Sequence, residues 1–204
     1  NSNYYRFYHG SHSLKKKYDT LKFDKLFTYN KKKQDSINDK LKEELIKKGI
    51  KNKKRIGLGE LIVHQMPKVY IRQSSKDIIA TYDEKQSTAN NSLYLFTLRS
   101  NKKKDLDFLK FICGYFNSNI INYYCKKLNI IRNNIAKQPQ MNIADLYNLP
   151  LITDTKIQKK ITYKVNEIYK NKNSIERNIE DIDEILFNFF NIQDDEIDEI
   201  INFH

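Results

Sequence analysis

Residues 105–127, DLDFLKFICGYFNSNIINYYCKK, decide the fold, because this is the longest stretch whose apolar residues keep a helical beat. Leu109, Ile112, Cys113, Phe116, Ile120, Tyr123 and Tyr124 recur at steps of three and four and so lie on one face. Such a face has to be covered. The sequence before it alternates like strands and the sequence after it is polar, so the segment is expected to be the helical layer on which a sheet is laid. Asn117-Ser118-Asn119 interrupts it with residues that cap helices well, which predicts two helices meeting at a tight corner.

Working outward, from Glu60 the beat changes to two: ELIVHQ, then KVYIRQ after Pro67, then DIIATYD, then SLYLFTL. Alternation rich in β-branched and aromatic residues, broken by Pro67, Ser74-Ser75 and the polar run 84–92, predicts an antiparallel or mixed sheet. Further upstream, DSINDKLKEELIKKG reads as a helix starting at Asp35 or Ser36, with Ile37, Leu41 and Leu45 on one face and Gly49 just past its end. The first thirty-odd residues read as an aromatic strand, a Gly-Ser turn carrying His9 and His12, the Lys15–Lys17 triplet and a second strand. A basic connection, KNKKRIGLG, joins the helix to the sheet. Beyond residue 127 come a polar loop around Pro139, a strand-like LPLI and a tail with Ile157, Ile161, Val165, Ile168, Ile175, Ile179, Ile182, Leu186 and Phe189 near helical spacing. That tail is expected to be one long helix or two ending near Asn191, then a short helix from about Asp194 with three acids in its first turn. The expected fold class is α+β, an antiparallel or mixed sheet on helices followed by a C-terminal helical tail. The expected units are residues 1–153 and 154–204.

The chain has 204 residues and a formal charge of +12, unevenly placed. Residues 1–153 hold 30 Lys+Arg against 13 Asp+Glu, net +17, whereas 154–204 hold 7 against 12, net −5. A coding bias toward Lys and Asn does not sort charge by segment, so the basic part is expected to face phosphate. No run of apolar residues is long enough for a membrane span, and Cys113 and Cys125 form neither a disulfide framework nor a metal-ligand spacing, so a cytoplasmic protein with no membrane partner is expected. The first residue is Asn rather than Met, as expected for a piece of a longer protein. His9 and His12 lack the further ligands of a metal site, so no metal is expected.

The expected DNA-binding residues follow from chemistry. Lys15, Lys16 and Lys17 suit phosphate contacts. Arg72, on the face of KVYIRQ opposite Val69 and Ile71, suits a bidentate contact to guanine or phosphate, and Gln73 adjoins it. Lys85 and Gln86 open a loop rich in amides and hydroxyls, EKQSTANNS, of the kind that reads base edges. Around Pro139, Gln138 and Gln140 suit adenine and Lys137 suits phosphate. No catalytic residues are expected. Adjacent prolines are absent, GLG at 57–59 is too short and too Lys-flanked for a cofactor loop, and no nucleophile triad or phosphate cradle occurs.

In order along the chain, KVYIRQSS, IIATYDE, NNSLYLF, FLKFICGYFNSNIINYYCK, IAKQP, LYNLPL and IEDIDEILFNFFNIQDDEIDEII resemble the TaqI-like C-terminal specificity domain over nearly the whole length. The resemblance implies the target-recognition part of a type IIG restriction-modification enzyme or a related adenine-specific DNA methyltransferase, with double-stranded DNA as ligand and a methyltransferase domain or subunit as partner. It implies S-adenosylmethionine for the parent enzyme and no cofactor in this chain, because the Asn- or Asp-Pro-Pro-aromatic motif and the cofactor loop of such methyltransferases are not in this sequence. The chain is also similar to half of a type I specificity subunit, in which helices space the recognition domains. The reading from another class is a non-catalytic module that binds RNA or scaffolds a partner; base stacking on single strands marks the first, and a lack of salt-sensitive nucleic-acid binding the second.

Overall fold

A computed structural model of the chain describes residues 4–50, 57–134 and 137–203, with the backbone only at 133, 134, 137 and 138. Its centre is the predicted corner. Helix α4 (Lys103–Asn117) stops at Ser118, whose Oγ accepts from the Ile121 N–H and so caps α5 (Asn119–Lys127). Leu109, Ile112, Cys113, Phe116 and Ile120 of the expected stripe are buried in one core cluster, and Tyr123 and Tyr124 pack against it. Phe111, Gly114 and Tyr115 are buried too, because α4 is covered on two sides.

On one side lies the sheet β4 (Ala80–Asp83), β3 (Lys68–Arg72), β6 (Leu93–Phe96), in that order and antiparallel throughout. Val69, Ile71, Ala80 and Tyr82 join the α4 core. The opposite face is not open to solvent as the alternation suggested. Tyr70 packs with Tyr8, Leu14 and Leu93 in a second cluster beneath another sheet, β2 (Lys25–Thr28), β1 (Tyr4–Tyr8), β5 (Ser87–Ala89), in which β1 and β5 run parallel. Lys68 is fully buried there, with Nζ 3.4 Å from His64 O and from Ser87 Oγ. Ser87 Oγ and Tyr8 OH both donate to Asp83 Oδ2, at 2.8 and 3.1 Å. A polar network thus holds the two sheets face to face.

On the other side of α4 lies α7 (Thr155–Lys170), followed by α8 (Ile175–Phe190), which ends at the left-handed Asn191, and α9 (Asp194–Asn202), whose first turn holds Asp194, Asp195 and Glu196. Gly114 sets the approach of α4 and α7, since a Cβ there would lie 2.6 Å from Ile161 Cγ2 and 2.8 Å from Val165 Cγ2. Both are methyls on β-branched side chains that have little rotamer freedom in a helix. Gly114→Ala is therefore expected to destabilise the chain by about 1–2 kcal/mol, although alanine gains about 1 kcal/mol of helix propensity. A denaturation midpoint at or above that of the unsubstituted chain would show that the helices separate without cost.

The outer edge of β4 is closed by side chains from the helices. Asn117 accepts from the Ala80 N–H and donates to the Ala80 carbonyl, both at 2.9 Å. Asn122 Oδ1 accepts from Ile78 N at 2.5 Å, and Tyr169 OH from Tyr82 N at 2.7 Å. The three residues alternate, as the outward-pointing groups of an edge strand must. Asn117, Asn122 and Tyr169, from α4, α5 and α7, therefore supply the bonds that a further strand would have made.

Several expectations are corrected. ELIVHQ is a short helix, α3 (Leu61–Gln65), not a strand: β4 and β6 take both edges of β3, and β2 and β5 take both edges of β1, so neither of these central strands has an edge left for it. The upstream helix α2 (Lys31–Lys47) starts earlier than expected, because Asn30 Oδ1 accepts from Lys33 N and caps it. The loop 84–92 contains β5, and the polar run near Pro139 is a hairpin of β7 (Arg132–Asn134) and β8 (Lys137–Gln140). LPLI forms no strand, though Leu149 and Ile152 are buried. The Gly-Ser turn is one helical turn, α1 (Gly10–Ser13).

Candidate nucleic-acid interface

The C-terminal end of β3 gathers four segments into one edge. Gln73 N–H donates to Ser92 O, and Gln73 O accepts from Met141 N, both at 3.1 Å. Ser75 N–H donates to Pro139 O, and Ser74 bridges to Gln140, so the hairpin β7–β8 continues the edge. On the other flank Gly10 lies so close to Ser92 that a Cβ would sit 2.6 Å from its Oγ, at a backbone φ of +21°. Only glycine allows this approach without displacing the serine. It brings α1, with Ser11 and His12 exposed, to the same edge.

Of the expected residues, Lys15 and Lys16 are exposed directly after α1, whereas Lys17 is half-buried. Burial pushes the Lys17 ammonium below its ordinary value, and Asp77 and Asp183 partly restore it. Lys17 therefore faces carboxylates inside the fold, while its two neighbours are free to meet phosphate. Arg72 is half-buried, and one Nη2 donates to Ser74 O at 2.9 Å, which fixes the turn and leaves its other donors without a partner among the described residues. Gln73 is half-buried and joined to the edge through its backbone; Gln140 is exposed. Lys137 and Gln138 lie on β8 beside it, and their side chains fall outside the described residues, as do residues 51–56 of the basic connection.

Lys85 and Gln86 do not join this edge. They are exposed in the turn from β4 to β5, and Gln86 O accepts from Arg6 N at 3.1 Å. Asp83 pairs with Lys68 and Ala80 with Ile71, so this turn lies at the opposite end of β3 from Arg72. Residues overlooked in the sequence include Arg132, exposed at the base of the hairpin with Nη2 3.1 Å from Asp145 Oδ2, and Ser11 and Asn91. Arg132 carried a faint signal as a lone cation in a polar run. Ser11 and Asn91 carried none, since only the Gly10–Ser92 approach brings them together.

What the edge offers is a row of amides, hydroxyls and a guanidinium on strand ends. Among the described residues no group of three or more His, Cys, Asp or Glu is placed to hold a metal. No helix among the described residues is long and apolar enough to cross a membrane. The family model of the TaqI-like C-terminal specificity domain matches residues 1–151, and the chain belongs to that family, the DNA-recognition modules of restriction-modification enzymes. No curated protein matches the chain.

Proposed function

We propose that this chain reads the target sequence in double-stranded DNA for a type IIG-like restriction-modification enzyme or adenine-specific methyltransferase acting in the cytoplasm. Catalysis and S-adenosylmethionine binding belong to a methyltransferase domain or subunit that it positions on the site. The observation that carries this reading is the single edge on which Arg72, Gln73 and Gln140 are held together by backbone bonds of β3, Ser92 and the hairpin. Amide and guanidinium groups on such an edge suit base readout, and the exposed Lys15 and Lys16 suit registration on the backbone.

Selection from a randomised duplex library, with the methyltransferase partner present, is expected to enrich one defined sequence. On that sequence Arg72→Ala or Gln140→Ala is expected to cost about 1–3 kcal/mol, and much less on random duplex. Lys15→Gln should instead weaken both duplexes alike and lower the log-log salt slope by about one. Enrichment of no sequence, or equal losses on both duplexes for Arg72 and Gln140, would remove the edge as the reading surface.

A further inference from the structure

The chain between Tyr29 and Gly59 leaves the sheet and returns to it at one place. Tyr29 OH donates to Gly59 O at 3.2 Å, His64 Nε2 lies 2.6 Å from Leu58 O, and the Tyr29 and His64 rings are 5.6 Å apart. The described residues 30–50 therefore leave the sheet as an arm from a pinned base, and they hold 7 Lys+Arg against 4 Asp+Glu, net +3.

Its described part is α2, a helix that packing does not account for. Gln34 is its one buried residue, and Lys31 with Asp35, at 3.2 Å, is its one ion pair among the described residues. Lys31, Lys32 and Lys33 fill the first turn, where the helix dipole disfavours cations. Lys33, Lys40 and Lys47 are exposed and seven apart, which places them within one narrow stripe, successive members about 10 Å apart along the axis. Leu41 and Leu45, which share a face with Ile37, are half-buried, and the exposed Ile46 stands on the opposite side from Ile37, so the exposed apolar residues form no continuous face. The basic stripe is the continuous exposed feature of this helix.

The position of the base matters. Thr28, just before the arm, pairs with Tyr4 at the start of β1, and Arg6 of β1 bonds to Gln86 O. The arm therefore springs from the end of the sheets that carries Lys85 and Gln86, roughly the length of a five-residue strand away from the Arg72 edge. We infer that α2 is a second, sequence-independent DNA contact, in which Lys33, Lys40 and Lys47 grip backbone phosphates outside the segment read by the Arg72 edge. This rests on the DNA-recognition reading above.

The test is the salt dependence of binding of the full chain to a random-sequence duplex. Each phosphate contact adds about 0.9 to the log-log slope, so K33Q/K40Q/K47Q is expected to flatten it by about 2.7, and the affinity lost between about 50 and 200 mM salt should be about 40-fold smaller. K156Q/K159Q/K160Q, an equal charge change on exposed lysines of α7, should leave the slope in place, and circular dichroism should show both variants folded. An unchanged slope in the arm variant, or equal flattening in both variants, overturns the arm as a phosphate contact while the recognition reading stands. An unchanged slope with altered sedimentation assigns the arm to the acidic tail of a second copy. Absence of salt-sensitive binding by the unsubstituted chain overturns both the arm and the reading on which it rests.

Discussion

Asn117→Leu is expected to destabilise the chain by about 2–4 kcal/mol, although leucine has nearly the shape of asparagine. The side chain lost is the one that completes the edge of β4 at Ala80, with bonds of 2.9 Å to its N–H and its carbonyl. The Ala80 carbonyl keeps the Tyr18 N–H at 3.0 Å, but the Ala80 N–H is left buried with no acceptor. An orphaned buried donor costs about 1–3 kcal/mol, and the lost bonds add about 1 kcal/mol. For a chain of this length that amounts to a fall in the melting temperature of roughly 10 °C. Asn119→Leu, two residues on and half-buried, concerns a residue that bonds to Asp183, through its N–H at 2.7 Å, rather than to the β4 edge, and is the natural control. A shift for Asn117→Leu as small as that for Asn119→Leu would show that water reaches the β4 edge.

Stability is expected to rise between about pH 8 and pH 10, with roughly 2–3 kcal/mol of the rise due to Lys68 and missing in Lys68→Met. Lys68 is fully buried between the two sheets, and desolvation pushes its ammonium down to about 8, with Asp83 opposing. The folded value lies below the unfolded one, so in this window the unfolded chain binds the extra proton and raising the pH favours the fold. Above about pH 10 the buried phenols of Tyr8 and Tyr70, both held above their ordinary value by burial, act with the opposite sign. Lys17 and Lys172, pushed down by burial as well, act in the same direction as Lys68. Comparison with Lys68→Met therefore isolates one group. Parallel stability curves for the two proteins from pH 8 to pH 10 would mean that Lys68 reaches solvent.

Asp183 carries the opposite linkage. Burial pushes its carboxyl up to about 6, against the N–H groups of α5 and the Lys17 charge, and its Oδ2 has no hydrogen-bond partner among the described residues. A raised carboxyl contributes stability that is present below about pH 4 and lost as the pH passes 6. The same residue explains why Lys17, third in a triplet that reads as uniformly basic surface, turns inward.

The elements of this fold were mostly legible where a period was long and a cap was present. The α4–α5 corner at Ser118 and the break at Asn191 follow from capping chemistry that acts over a few residues. ELIVHQ failed because a β-branched run says only that a segment would suit an edge, and no edge of β1 or β3 was free. The site was legible in composition more than in arrangement. Arg72, Gln73 and Gln140 do share an edge, but Lys85 and Gln86, chosen on the same chemical grounds, lie at the other end of β3.

What the sequence by itself determined was periodicity, capping, the charge split between the first 153 residues and the tail, and through its ordered motifs the family. Each depends on interactions within a few residues or on simple counting. Only the tertiary structure decided which face of KVYIRQ was left to solvent, because both faces are covered, one by α4 and the other by the first sheet. It alone also decided that three alternating backbone groups of β4 would be closed by Asn117, Asn122 and Tyr169. Those partners stand tens of residues from the strand in the chain, and a hydrogen bond is set by distance in space, to which separation along the sequence gives no guide.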